Sequence, residues 1–172
     1  PFLNRKDKDF FFVPRGNVDS IVGTITDRCS RRLPDTYGYE PMRHIQVLTP
    51  TRKGPSGVVN LNIELQKVLN KPGNNKRQWE YRDYIFREGD RVMQVKNNYD
   101  KNVFNGDIGK ISKIDMEDKT LTICFDGNDM DYDVTELDEV VLAYATTVHK
   151  SQGSEYKIVV APFTMQHYMM LQ

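Results

Sequence analysis

Apolar positions along the first seventy residues recur in alternating strand-like and helix-like patterns. Asp9-Phe10-Phe11-Phe12-Val13-Pro14 is a short apolar run closed by proline and predicts a strand. Asn17 stands before Val18, Ile21, Val22, Ile25 and Cys29, whose spacing predicts a helix capped by the asparagine and stopped near Leu33-Pro34. Ile45-Gln46-Val47-Leu48-Thr49 predicts a second strand. After the turn-rich segment 50–57, Ser56 is the expected cap of a helix carrying Val58, Leu61, Leu65 and Val68 or Leu69 on one face. Strand, helix, strand, helix argues for an α/β layer with parallel strands.

The texture changes at residues 71–77, a polar, basic, Gly/Pro-punctuated loop. Short β-rich segments follow at 91–95, 107–114, 119–125 and 130–134, with turn chemistry at Met116-Glu117-Asp118 and Asp126-Gly127-Asn128-Asp129. So many short strands in about fifty residues predict a small antiparallel barrel. Two further apolar runs, 140–145 and 158–161, return the chain to the α/β pattern, so the barrel reads as an insertion.

Composition adds limits. The chain has 172 residues, 38% hydrophobic and 28% charged, which describes an ordinary globular domain with a small insertion. No apolar run approaches bilayer length, and the N-terminus has no signal-peptide core. A start at Pro1 reads as an excised piece of something longer. Cys29 and Cys124 lie far apart without metal-ligand spacing, as expected of reduced thiols in a cytoplasmic protein. The net charge of +0 hides an asymmetry: residues 1–90 hold 16 Lys and Arg against 11 acids, residues 91–172 hold 8 against 13. Asp126, Asp129, Asp131, Asp133, Glu136, Asp138 and Glu139 run without an intervening base, so nucleic acid is expected to bind elsewhere and this run to be solvated.

The densest chemistry is Thr147-Val148-His149-Lys150-Ser151-Gln152-Gly153-Ser154-Glu155, between two strand-like runs. Lys150 and His149 suit phosphates, Thr147 and Ser151 offer hydroxyls, and Gly153 permits close backbone approach. A loop after a parallel strand is where open α/β sheets bind ligands. The string T-x-H-K-S-Q-G-S-E resembles motif V and its neighbour in superfamily 1 helicases of the RecD-like, 5′-to-3′ class. Residues 45–57 followed by Leu61-Asn62 resemble that family's motif IV region. Gly89-Asp90-Arg91-Val92-Met93-Gln94, Asn97-Asn98-Tyr99-Asp100 and residues 103–109 resemble the opening of its inserted SH3-like barrel, and Asp9-Phe10-Phe11-Phe12 its entering strand. The motifs stand in the family's order, and the resemblance extends to the exodeoxyribonuclease V alpha subunit type.

That resemblance implies a RecA-like (P-loop NTPase-type) parallel-sheet domain, here incomplete, formed by residues 1–90 and 138–172, with residues 91–137 as the SH3-like barrel. It implies an ATP-dependent DNA helicase of recombination and repair. Arg52 or Lys53 would approach the nucleotide's phosphates, with Arg52 favoured for bidentate contact. Gly153 and Glu155 would face the nucleotide, Glu155 toward the ribose. Thr147, His149, Lys150 and Ser151 would grip single-stranded DNA, and Asn97, Asn98, Tyr99 and Asn105 would lie on the barrel's motor-facing side. Tyr99 and Phe104 offer bases a stacking surface, although aromatics in small barrels are more often core. Trp79, Tyr81 and Tyr84 carry the same ambiguity, with packing favoured. ATP with Mg2+, the N-terminal RecA-like domain and other nuclease–helicase subunits are the implied partners, in a bacterial cytoplasm.

No G-x-x-x-x-G-K-[ST] occurs in the 172 residues, and no apolar strand ending in paired acids. The motif VI arginine is expected beyond residue 172. The isolated 172-residue chain is therefore expected to show no ATPase, and DNA-stimulated hydrolysis by the purified piece would contradict this. The rivals are a non-enzymatic single-stranded-DNA clamp or protein-docking module built on the barrel, and a hydrolase using His149, which lacks a nucleophile arrangement.

Overall fold

A computed structural model describes residues 9–164. Its centre is β1 (Ile45–Thr49), paired in parallel with β9 (Ala145–Thr147) on one side and β10 (Ile158–Val160) on the other. Ile45 and Val47 are buried, as parallel strands covered by helices require. Gln46 is buried too, its Nε2 donating to the carbonyls of Val47 and Tyr144 at 3.1 and 3.2 Å.

The helices cover this layer. Asn17 Oδ1 accepts from Ser20 N at 2.8 Å and caps α1 (Val18–Asp27), as its sequence position predicts. The helix does not stop at Leu33-Pro34. It passes through a π turn, Arg28–Arg32, into α2 (Leu33–Tyr37), so Pro34 lies within a continuous helical run, just after the wider π turn. Gly38, at φ 67°, ends it. A short α3 (Pro41–His44) leads into β1, and α4 (Val58–Leu69) follows. Gly57, not Ser56, occupies the α4 cap position. Ser56 is buried, and its carbonyl accepts from Thr49 Oγ1 at 2.8 Å. The helix buries Leu61 and Leu65, but also Asn62 and Gln66.

Two expected strands are corrected. Residues 10–12 carry no strand among the described residues, and Phe10, Phe11 and Phe12 stand about half exposed or more. The 140–145 run is divided. Val140–Leu142 is β8 of an antiparallel sheet, and the chain crosses at the buried Ala143 and Tyr144 into β9 of the parallel one.

The 71–87 region is not all loop: β2 (Gln78–Tyr81) and β3 (Tyr84–Arg87) form a hairpin, and Trp79, Tyr81 and Tyr84 pack on the core. Next, β4 (Arg91–Gln94), β5 (Ile108–Asp115), β6 (Thr120–Phe125) and β7 (Asn128–Asp133) build a five-stranded antiparallel sheet in the order β7-β6-β5-β4-β8. Asp126 and Gly127, both at positive φ, make the two-residue turn between β6 and β7. Gly109 on β5 admits no side chain, since a Cβ would lie 2.6 Å from Ile123 Cγ2.

Where the two sheets meet sits an unexpected polar cluster. The fully buried Asp90 carboxylate accepts from Gln66 Nε2 (2.6 Å), Asn70 Nδ2, Tyr144 Oη and Arg87 N (2.7 Å each). Arg87 and Lys76 bond Asn70 in turn. Helix α4, the hairpin, β4 and the β8–β9 crossing thus share one carboxylate. Burial pushes the Asp90 carboxyl above the usual aspartate value, and the four donors only partly offset it.

Candidate nucleotide and nucleic-acid edge

Strands β1 and β9 are parallel neighbours with Thr49 opposite Thr147, so the segments following them leave from the same carboxyl edge. This brings the 50–57 loop and the 147–155 loop together, although about ninety residues of sequence separate them.

The first loop folds back on its own helix. Gly57 N donates to the Gly54 carbonyl at 3.0 Å, Val58 N to that of Thr51 at 3.0 Å and Val59 N to that of Arg52 at 3.2 Å. Helix α4 therefore begins with N–H groups already committed to its own loop, and contact with an incoming anion falls to the exposed side chains of Arg52 and Lys53. The fold also explains Gly57: a Cβ there would lie 2.4 Å from the Lys53 carbonyl oxygen.

The second loop is tied to the first strand, Val148 N donating to the Thr49 carbonyl at 3.3 Å. A 3₁₀ turn, His149–Ser151, then exposes His149 and Lys150. Thr147 Oγ1 accepts from Lys150 N at 3.3 Å, and Gly153 turns the chain at φ 83°. Glu155 is exposed beyond it. Ser151 differs from its expected DNA-facing place: its hydroxyl is buried and shares a 2.8 Å hydrogen bond with Thr146 Oγ1, because the 3₁₀ turn points it inward. It braces the turn.

Among the described residues none of Arg52, Lys53 and Lys150 is ion-paired. Partial desolvation, and next the like charge of Arg52, hold Lys150 below the usual lysine value although the residue lies at the surface. Cations left unpaired and mutually repelling form a site that a phosphate would relax.

The 96–107 segment is a separate lobe between β4 and β5. Asn97 Oδ1 accepts from Asn105 N at 2.9 Å, and Asn98 Nδ2 donates to Glu139 Oε2 at 3.1 Å. Lys96 pairs with Asp138 and Lys101 with Glu136, both at 2.6 Å. The C-terminal part of the acidic run is therefore not simply solvated; it pins this lobe. Tyr99 and Phe104 are not core either. They are 76% and 40% exposed and meet edge to face at 6.1 Å between centroids, because the chain leaves the sheet between Gln94 and Ile108. No hydrogen bond or ion pair among the described residues joins Asn97, Asn98, Tyr99 or Asn105 to the sheet edge.

Comparison with known proteins finds helicase domains along the chain. Residues 61–125 match the ATP-dependent RecD-like DNA helicase SH3 domain, and residues 142–172 match the UvrD-like helicase C-terminal domain. The ATP-dependent RecD2 DNA helicase of Deinococcus radiodurans is 42% identical over 127 residues, 74% of this chain and 17% of that protein. This chain thus spans only a small part of its curated relative's length. The crystal structure of the Pif1 helicase from Bacteroides in complex with ADP-AlF3 and ssDNA superposes with a TM-score of 0.51 at 18% identity. It covers 87% of this chain and 40% of that one, a likeness of fold. With both domain matches in the order its motifs predict, the chain belongs to the RecD-like DNA helicases.

Proposed function

We propose that this chain is the C-terminal motor piece of an ATP-dependent 5′-to-3′ DNA helicase. The observation that carries this function is the shared carboxyl edge of β1 and β9, where Arg52, Lys53 and Lys150 gather without ion-pair partners among the described residues. Arg52 and Lys53 would meet ATP phosphates, with Arg52 favoured because its charge reaches Lys150 across the edge. Gly153 and Glu155 complete the nucleotide-facing side. Thr147, His149 and Lys150 grip the single-stranded backbone, and phosphate-directed contacts suit a translocase because they ignore sequence. Binding of ATP between this piece and an N-terminal RecA-like domain closes a cleft and its hydrolysis reopens it, so the two domains' grips alternate along one strand. Among the described residues no group of three or more His, Cys, Asp or Glu is placed to hold a metal ion, so the Mg2+ that accompanies ATP is assigned no ligand here.

The parent protein would act in recombination and repair in a bacterial cytoplasm, as an exodeoxyribonuclease V alpha subunit type alone or beside other nuclease–helicase subunits. Two free thiols, with Cys29 buried and pushed up to about 12, suit a reducing compartment. Lys150→Ala in the full-length helicase is expected to weaken single-stranded DNA binding alike for all sequences. It should flatten the log–log salt dependence by about 0.7. An unchanged salt slope measured by fluorescence titration would remove Lys150 from the DNA grip.

A further inference from the structure

We infer that Asn62 is a positioning residue coupling the nucleotide edge to the DNA grip; this rests on the function proposed above. Strand β9 is an edge of the described parallel sheet, so Ala145, whose opposite number on β1 is Val47, turns a peptide N–H and C=O away from β1. Asn62 on α4 meets both. Its Nδ2 donates to the Ala145 carbonyl and its Oδ1 accepts from Ala145 N, each at 2.9 Å, with both residues fully buried. The carboxamide stands where a further strand's peptide would stand.

The same helix is held at its first turn by the carbonyls of Thr51 and Arg52. From Ala145, β9 runs two residues to Thr147 and then into the turn bearing His149 and Lys150. A displacement of Arg52 on phosphate contact therefore reaches α4 through backbone bonds. Asn62 passes it to β9 through a two-point contact that resists both sliding and rotation. Leucines on the same helix, such as Leu65, pack without direction and transmit neither.

The test is ATP turnover by the full-length helicase with and without saturating single-stranded oligonucleotide. Asn62→Asp keeps the shape and the acceptor toward Ala145 N but sets a carboxylate oxygen against the Ala145 carbonyl; Asn62→Ser serves if the aspartate variant does not fold. The Asn62 variant is expected to keep DNA-free turnover and the KM for ATP while losing about tenfold of the DNA stimulation. Leu65→Ala, assayed well below its unfolding temperature, is expected to keep the stimulation within about twofold, as a packing change outside the coupling should. Full stimulation in the Asn62 variant, or equal loss in Leu65→Ala, overturns the coupling role. Absence of stimulation in the unaltered helicase instead defeats the helicase reading itself.

Discussion

Asp90→Ala is expected to cost about 4 kcal/mol, since each orphaned buried donor costs roughly 1–3 kcal/mol and part of the group rehydrates. Four donors converge on this carboxylate from α4, the hairpin and the β8–β9 crossing, and all lose their acceptor together. The pH dependence follows from the raised carboxyl. Its folded pKa lies above the ordinary 3.8, so the folded state binds the proton more tightly than the unfolded chain does. The stability Asp90 contributes is greatest with the group protonated. It declines as pH rises from about 3.8 through the folded value, because ionisation then costs more inside than outside. The gap in unfolding free energy between wild type and Asp90→Ala is therefore expected to narrow from pH 4 to pH 8. Denaturant titrations across that range check both the size and the sign, and a gap that widens with pH would mean that the donors outweigh desolvation.

Little of that cluster was legible in the sequence. Gln66, Asn70, Arg87, Asp90 and Tyr144 come from four elements, and no period or motif joins them. Where chemistry lay in one loop after one strand, its place in the fold was legible: Arg52, Thr147 and Lys150 share an edge because Thr49 and Thr147 are in register. It failed where hydrophobicity carries no information about partners. The 140–145 run stays apolar while changing sheets because both sheets bury it. Direction was equally hidden. Ser151 belongs to the most telling string in the chain, yet one 3₁₀ turn points its hydroxyl inward. Tyr99 and Phe104 look like barrel core and stand outside it because the chain loops away from the sheet.

Gly57→Ala is expected to impair the nucleotide edge far more than the fold. The backbone at Gly57, φ −82° and ψ 164°, suits any residue, so conformational strain is not the issue. The obstacle is space. A Cβ would lie 2.4 Å from the Lys53 carbonyl oxygen, 2.6 Å from the Lys53 carbonyl carbon and 2.8 Å from that of Arg52. These are backbone atoms that no rotamer change removes, so the loop must shift and carry Arg52 and Lys53 with it. Overpacking of this kind costs about 1–3 kcal/mol, which leaves most of the protein folded. A displacement near 1 Å of groups that position a reacting phosphate costs on the order of 100-fold. The full-length helicase is accordingly expected to lose about 100-fold in kcat/KM for ATP. Its nucleotide-free affinity for single-stranded DNA should fall far less, within about tenfold, because the 147–155 loop keeps its own bonds to Thr49 and Thr146 and feels the shift only through α4 and Asn62. Gly54→Ala separates the two causes: φ is 87° there, but open space surrounds the Cβ, so strain without collision should lower stability and spare kcat/KM. If Gly57→Ala turns over ATP like the wild type, the 50–57 loop does not set the phosphate contact, and Arg52 loses its place in the site.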